Sequence, residues 1–346
     1  MTDIEKALNN ADEFLKEDGG LSPDDSALGF KTNENAEELT DDDKADALKV
    51  VLKAGCLYRI NSRCWSGVTS KVPEEQIKAP KEILTGLKNL IDQDRLSGFR
   101  YWKTAGEREL KKWGYSFLGL PNVFFIPKGF IPFVERKLAI CSERAKEAKE
   151  EFLANFDQYK AEWRDKVIDI CHKKDISIEE ALAYLDDDLY PSESDIAGRF
   201  QFSHRKFYIS VPDPSMGILD DKEYAEEVRK QKEDAREFLD NCLAALAKKF
   251  YKIVSNIQNK VKKGESIRPN TLQALTDYTE IFDKMNITNN QELSGYVETA
   301  QKLFTGVGTQ DFKKKEFRNQ MGESLDEIVT EFKTKSDEKL LRDIDF

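Results

Sequence analysis

The chain has 346 residues, 39% of them hydrophobic and 34% charged, and a formal net charge of -11. That balance favours an extended, surface-rich architecture. No charge-free run of 18 apolar residues occurs and mean hydropathy is -0.63, which excludes a transmembrane helix.

The charge is unevenly placed. Residues 1–43 hold 14 acidic side chains and 3 lysines, which leaves 51 acidic and 51 basic residues in 44–346. Such a leader, with runs such as Asp41-Asp42-Asp43, repels itself and reads as a solvated, mobile tail rather than a signal peptide. A sharper reading makes it an acidic arm that docks on a basic partner or masks a basic face. The acidic sum argues against general nucleic-acid binding.

One short helix is expected within 1–18. Thr40 and Asp43 resemble a capping box opening a helix over about 41–63, with Leu48, Val51, Leu52 and Ile60 inward. Further helices are expected over about 80–95 and 104–114. The segment SFLGLPNVFFIPKGFIPFV, residues 116–134, carries eleven apolar side chains, three prolines and a single charge, Lys128. Its prolines oppose a helix, so it reads as an extended loop or a short hairpin turning at Pro127-Lys128-Gly129. Phe124, Phe125 and Phe130 are its candidate interaction residues. The segment reads as a buried cover, with an exposed interface and a membrane-seeking tongue as alternatives.

From Leu138 to Ile170 the apolar positions advance by 3 or 4 residues through Cys141, Ala145, Ala148, Phe152, Phe156, Tyr159, Trp163 and Val167. This spacing predicts one helix of about 40 residues, about 60 Å long. A second seam runs from Tyr224 through Val228, Ala235, Leu239, Cys242, Leu246, Phe250, Ile253 and Ile257 to Val261, and Gly264 ends it. Two helices of equal length around a crossover predict an antiparallel hairpin. Within the crossover a short helix is expected over Ser177–Leu189. Phe200/Phe202 and Phe207/Ile209/Val211 alternate with polar residues, as strands of a small tip hairpin within 190–217 would. Shorter helices follow over about 269–285, 289–304 and 311–343. The expected fold is therefore all-α and elongated, with a coiled-coil-like hairpin, a small β-element and a helical C-terminal subdomain. Its expected segments are 1–43, 44–115, 116–264 and 265–346.

Chemistry is sparse. There are two histidines, no P-loop, no His-Glu-x-x-His, no Gly-x-Ser-x-Gly and no EF-hand spacing. Cys171 and His172 are adjacent, so on a helix they point about 100° apart and do not make a nucleophile–base pair. The odd set of five cysteines, without Cys-x-x-Cys, reads as buried thiols in a reducing cytoplasm. Asp186, Asp187, Asp188, Glu193 and Asp195 could ligate a hard cation but read better as solvated carboxylates. Lys313-Lys314-Lys315 at a helix start offers an acid-binding spot. Arg199, Phe202, His204, Arg205 and Phe207 mix cations with rings, a pattern shared by packed strands, protein-docking surfaces and single-strand nucleic-acid sites. No enzyme activity, metal or cofactor is expected.

The strings SFLGLPNVFFIPKGFIPFVERKL, EEFLANFDQYKAEW and YPSESDIAGRFQFSHRKFYISVPD resemble the domain of unknown function 3150 family of bacteria and phages over about residues 100–265. The resemblance supplies no catalytic residues. It implies an accessory or adaptor role beside a MoxR-type AAA+ ATPase and a von Willebrand A-type protein. The expected function is a non-enzymatic adaptor binding other proteins or itself. A helical pore-former using 116–134 and a single-strand nucleic-acid binder using 199–208 are the alternatives.

Overall fold

Leu48 and Val51 sit three residues apart and are buried, which sets the first helix; from Cys56 the buried positions recur every second residue and the chain becomes a strand. The computed structural model describes residues 47–71, 87–175, 177, 190–209 and 220–335. In chain order its elements are α1 (Ala47–Ala54), β1 (Gly55–Arg63), β2 (Val68–Lys71), β3 (Leu87–Asn89), α2 (Ser97–Trp113), β4 (Tyr115–Ser116), β5 (Val123–Pro127), α3 (Ile131–Ala154), α4 (Phe156–His172), α5 (Glu193–Arg199), β6 (Gln201–Phe207), α6 (Asp221–Lys262), α7 (Pro269–Met285), α8 (Gln291–Phe304) and α9 (Lys315–Lys335). Helix dominates, with a small open sheet in the order β4-β5-β1-β6 and a separate antiparallel pair of β2 and β3. The leader, the Thr40 cap, most of the helix expected over Ser177–Leu189, and Asp186 to Asp188 lie outside the described residues.

The described chain forms two compact units, one from 58–112 and 132–206, the other from 47–57, 113–131 and 207–335. In the first, the α3 residues Cys141, Ala145 and Phe152 and the α4 residue Phe156 are buried with Trp65, Leu90, Ile91, Leu96, Phe99, Trp102, Ile196 and Phe200. Trp65 meets Phe152 and Phe156 edge-on at 6.0 and 5.7 Å, and Phe200 meets Phe99 at 5.1 Å, geometries that aromatic quadrupoles favour. Trp163 is buried and donates its Nε1–H to the Asn89 carbonyl at 3.1 Å. The α3–α4 seam is therefore covered by the N-terminal segments and the crossover. The expected single helix is interrupted at Asn155, whose backbone lies outside helical geometry (φ -107°, ψ 11°), although Tyr159 N–H still bonds to the Asn155 carbonyl.

In the second unit, Asp220 and Glu223 form a capping box that opens α6, and Gly264, at φ +67°, closes it with a bond from its N–H to the Val261 carbonyl. Phe238, Cys242, Leu246, Phe250, Val254 and Ile257 are buried against a surround of α1, α7, α8 and α9. Phe238 takes the deep position that helical spacing assigns to Leu239, which is only half-buried. Tyr278 Oη donates to the Leu246 carbonyl at 3.0 Å, and Tyr115 Oη to that of Met285 at 2.7 Å.

Four expectations are corrected. The helix read over 41–63 is α1 followed by β1. Gly55 marks the change, because a Cβ there would lie 2.2 Å from the Ile126 carbonyl oxygen, so β5 approaches that closely only at a glycine. The helix read over 80–95 is, among the described residues, strand β3 and a 3-10 turn at Gln93–Leu96. The 116–134 hairpin exists, but it turns between β4 and β5, where Leu118, Gly119 and Asn122 have positive φ. Pro127 instead ends β5, and α3 starts at Ile131 with Pro132 in its first turn, where no helical N–H bond is lost. Finally, Gln201 to Phe207 form one strand beside β1, so Phe202 and Phe207 do not stand on separate arms of a tip hairpin. Val211 lies outside the described residues.

Candidate functional site

The rings at Phe124, Phe125, Phe130 and Phe133 of the 116–134 segment are buried, while its turn, Gly119 to Asn122, is exposed. Phe124, Phe125 and Phe130 are 4%, 0% and 2% exposed. Phe125 and Phe117 both lie against Phe238, at 5.1 and 4.9 Å, and Phe130 lies 5.1 Å from Trp113. Among the described residues no helix is long and apolar enough to cross a membrane.

The crossover residues are arranged differently. Strand β6 alternates strictly between half-buried and exposed positions. Phe202, His204 and Lys206 point inward, while Gln201, Ser203, Arg205 and Phe207 point outward. Phe202 joins the first unit's core, and Arg199 is exposed at the end of α5. Ser203 Oγ lies 3.5 Å from the Asn61 carbonyl, which fixes β6 beside β1. Phe207 is 40% and Tyr208 73% exposed, two of the three exposed large hydrophobics among the described residues; Leu120 is the other.

Behind the strand is a polar cluster that sequence reasoning missed. Glu135, on α3, accepts 2.7 Å hydrogen bonds from Lys206 Nζ and from Tyr58 Oη. Lys206 Nζ also lies 5.8 Å from the Tyr58 ring centre, and the His204 ring is 6.3 Å from that of Tyr58. The hydrogen bonds from Lys206 and Tyr58 hold the Glu135 carboxyl below its ordinary value. Burial pushes His204 below its ordinary 6.5, against the pull of Glu135, so the imidazole is uncharged at neutral pH. A carboxylate already engaged by two donors is a poor general base. The cluster is a clamp that fixes β6 to β1 and α3. The period-two burial of Cys56, Tyr58 and Ile60 was the signal that could have found it.

That clamp makes a pH prediction. The folded Glu135 pKa is depressed, so its stabilisation is complete above the ordinary value of 4.5 and is lost as pH falls through the lowered one. Glu135→Gln should flatten the acid limb of the stability curve below about pH 4.5 and leave the neutral-to-alkaline limb shape unchanged. Thermal melts across that range check it, and a variant curve parallel to wild type would remove the clamp from the account. The effect is small, because the Glu135 side chain is 45% exposed.

Other sequence candidates are not brought together. Cys171 is buried and His172 exposed. Glu193 and Asp195 are exposed, and Asp195 accepts from Ser192 Oγ at 2.7 Å. Lys314 pairs with Asp311 at 3.7 Å. Burial raises the thiol of Cys141 to about 12 and that of Cys242 further, which leaves both protonated. Among the described residues no group of three His, Cys, Asp or Glu side chains is placed to hold a metal ion.

A family model described as "Protein of unknown function (DUF3150)" matches residues 52–279, from the end of α1 into α7. The chain belongs to the DUF3150 family. The match extends on both sides of the 100–265 region that carries the resemblance, so it takes in the whole of β1 and most of α7. Tyr58, Glu135, His204 and Lys206 all lie inside the family region. No curated protein and no solved structure matches the chain.

Proposed function

We propose that the protein is a non-enzymatic, cytoplasmic adaptor that binds another protein through β6 and the residues just after it. The observation that carries this reading is the pair of exposed rings, Phe207 and Tyr208, at the end of a strand that closes the sheet order. Among the described residues no strand covers the outer edge of β6, and an open edge offers backbone groups to an extended segment of a partner. Tyrosine and phenylalanine supply large contact area at small entropic cost. The clamp behind the strand holds it in a fixed position, so a partner meets a preorganised edge. The resemblance to the family supports a partner from a MoxR-type AAA+ ATPase assembly, with a von Willebrand A-type protein as a second member. An elongated hairpin of the long helices as the frame for this edge belongs to the same proposal.

Affinity capture from native lysate, with wild type and Phe207→Glu/Tyr208→Glu compared by quantitative mass spectrometry, tests it. Both side chains are exposed, so the variant should keep its melting temperature within about 2 °C. A protein enriched by wild type should fall at least about tenfold with the variant, the equivalent of about 1.4 kcal/mol. Equal capture by both would remove this end of β6 as the docking site.

A further inference from the structure

The outward face of β1 and β6 carries charge of one sign. Strand β1 buries Tyr58 and Ile60 and turns Arg59, Asn61 and Arg63 the other way, with both arginines exposed. Strand β6 turns Gln201, Ser203 and Arg205 outward, all exposed. Ser203 Oγ lies 3.5 Å from the carbonyl of Asn61, which stands midway between Arg59 and Arg63, and Arg205 follows two positions after Ser203. Arg205 therefore falls beside one arginine of β1, and the approach of Lys206 Nζ to the Tyr58 ring, 5.8 Å from its centre, picks out Arg59. Like charges on neighbouring strands weaken a sheet, so this arrangement does not serve the fold. None of the outward positions named is acidic. Glu135 is on the other side and is engaged by Lys206 and Tyr58. Among the described residues, Arg59, Arg63 and Arg205 enter no ion pair.

We propose that this face binds single-stranded nucleic acid, laid flat across β1 and β6. Arg59 and Arg63 are four positions apart, about 13 Å along an extended strand, and the neighbouring strand adds a third guanidinium about 5 Å to the side. An exposed guanidinium holds a phosphate through two parallel hydrogen bonds, and the bound anion relieves the repulsion between Arg59 and Arg205. Between the arginines, Asn61, Gln201 and Ser203 offer amide and hydroxyl groups to the edges of unpaired bases. An acidic peptide fits less well. Its backbone needs hydrogen-bond partners, which a sheet supplies at its edge and not on its face. A nucleotide chain carries its charge on the backbone and has no such need. The net charge of -11 belongs to residues 1–43 and the remainder of the chain sums to zero, so overall acidity is no guide to this face. The inference goes beyond the adaptor reading, since it concerns the face of β6 rather than its edge and end, and a nucleic acid rather than a protein.

The test is fluorescence anisotropy of a labelled oligonucleotide of about 20 thymidines, titrated with the full chain. Binding should saturate with a Kd below about 0.1 mM at about 50 mM salt. Three phosphates, each contributing about 0.7 to the logarithmic salt slope, give a slope of about -2, so affinity should fall about twentyfold between about 50 and 200 mM salt. Arg59→Gln/Arg63→Gln/Arg205→Gln should bind at least about tenfold more weakly, and its exposed positions should leave the melting temperature within about 2 °C of wild type. Lys313→Gln/Lys314→Gln/Lys315→Gln, which removes the same charge at exposed positions elsewhere, should bind as wild type does. No saturable binding, a flat salt dependence, or a loss in the lysine variant but not in the arginine variant would overturn the proposal. Labelled polyglutamate of about 20 residues and a thymidine–adenosine duplex of about 20 base pairs supply the competing arms. Both should bind more weakly than the single strand. Tighter binding of polyglutamate that the arginine variant abolishes would assign the face to an acidic polypeptide instead, and tighter binding of the duplex would overturn the single-strand assignment.

Discussion

Phe125→Asp should yield no folded protein. Phe125 is fully buried in β5, its ring lies 5.1 Å from that of Phe238, and its neighbour across the hairpin is Tyr115. The aspartate would leave a ring-sized void and bury a carboxylate with no partner. Loss of the ring alone costs about 3–5 kcal/mol, and an unpaired charge adds to it. A natural domain holds about 5–15 kcal/mol in total, so the sum takes most or all of it. Soluble yield and circular dichroism of the purified chain check this. Phe125→Leu is the control: it keeps an apolar side chain, should cost about 1–2 kcal/mol and should remain folded. A folded Phe125→Asp would mean that the 116–134 segment faces outward, and the interface or membrane readings of that segment would return.

Trp163→Ala should destabilise the first unit by about 3–5 kcal/mol. The indole is 4% exposed, Lys166 Nζ lies 5.6 Å from its ring centre, and its N–H satisfies the Asn89 carbonyl. Truncation opens a cavity and removes the indole hydrogen bond to that carbonyl at the end of β3. Trp163→Phe should cost less, because it keeps one ring and loses the hydrogen bond, worth about 1 kcal/mol, together with only part of the buried indole. Urea titration followed by circular dichroism would read both. An unchanged midpoint for Trp163→Ala would place the indole in solvent and contradict the packing of α4.

These two residues show what was legible in the sequence. Trp163 stands in an unbroken series of 3- and 4-residue steps, and such a series states that a face must be covered. It does not state by what. In the fold, α4 covers Trp163 with the Asn89 end of β3, and α6 buries Phe250 and Cys242 against helices of its own unit. Helix ends were clearer, because they rest on local chemistry. Pro269 opens α7 and Gly264 follows the end of α6, where the sequence places them. Strand β1 was hidden because Leu48, Val51 and Leu52 begin a true helix whose spacing continues, by chance, to Ile60. Only Gly55, needed for the approach of Ile126, marks the change, and no local pattern distinguishes that glycine from one inside a helix.

The candidate site was half legible. Phe202, His204, Arg205 and Phe207 stand out as cations among rings, but their division between two faces depends on which strand they pair with. Glu135 and Tyr58 are separated by 77 positions and meet only in the fold.

Hydrogen exchange across the 200–209 peptide is the most direct test of the adaptor account. It would be measured on the full chain, alone and bound to the protein that capture identifies. An extended partner segment on the β6 edge satisfies its outward amides, so exchange in this peptide should slow at least about tenfold on binding. Peptides from α4 should exchange as before. Slowing confined to other segments, with 200–209 unchanged, would contradict the account.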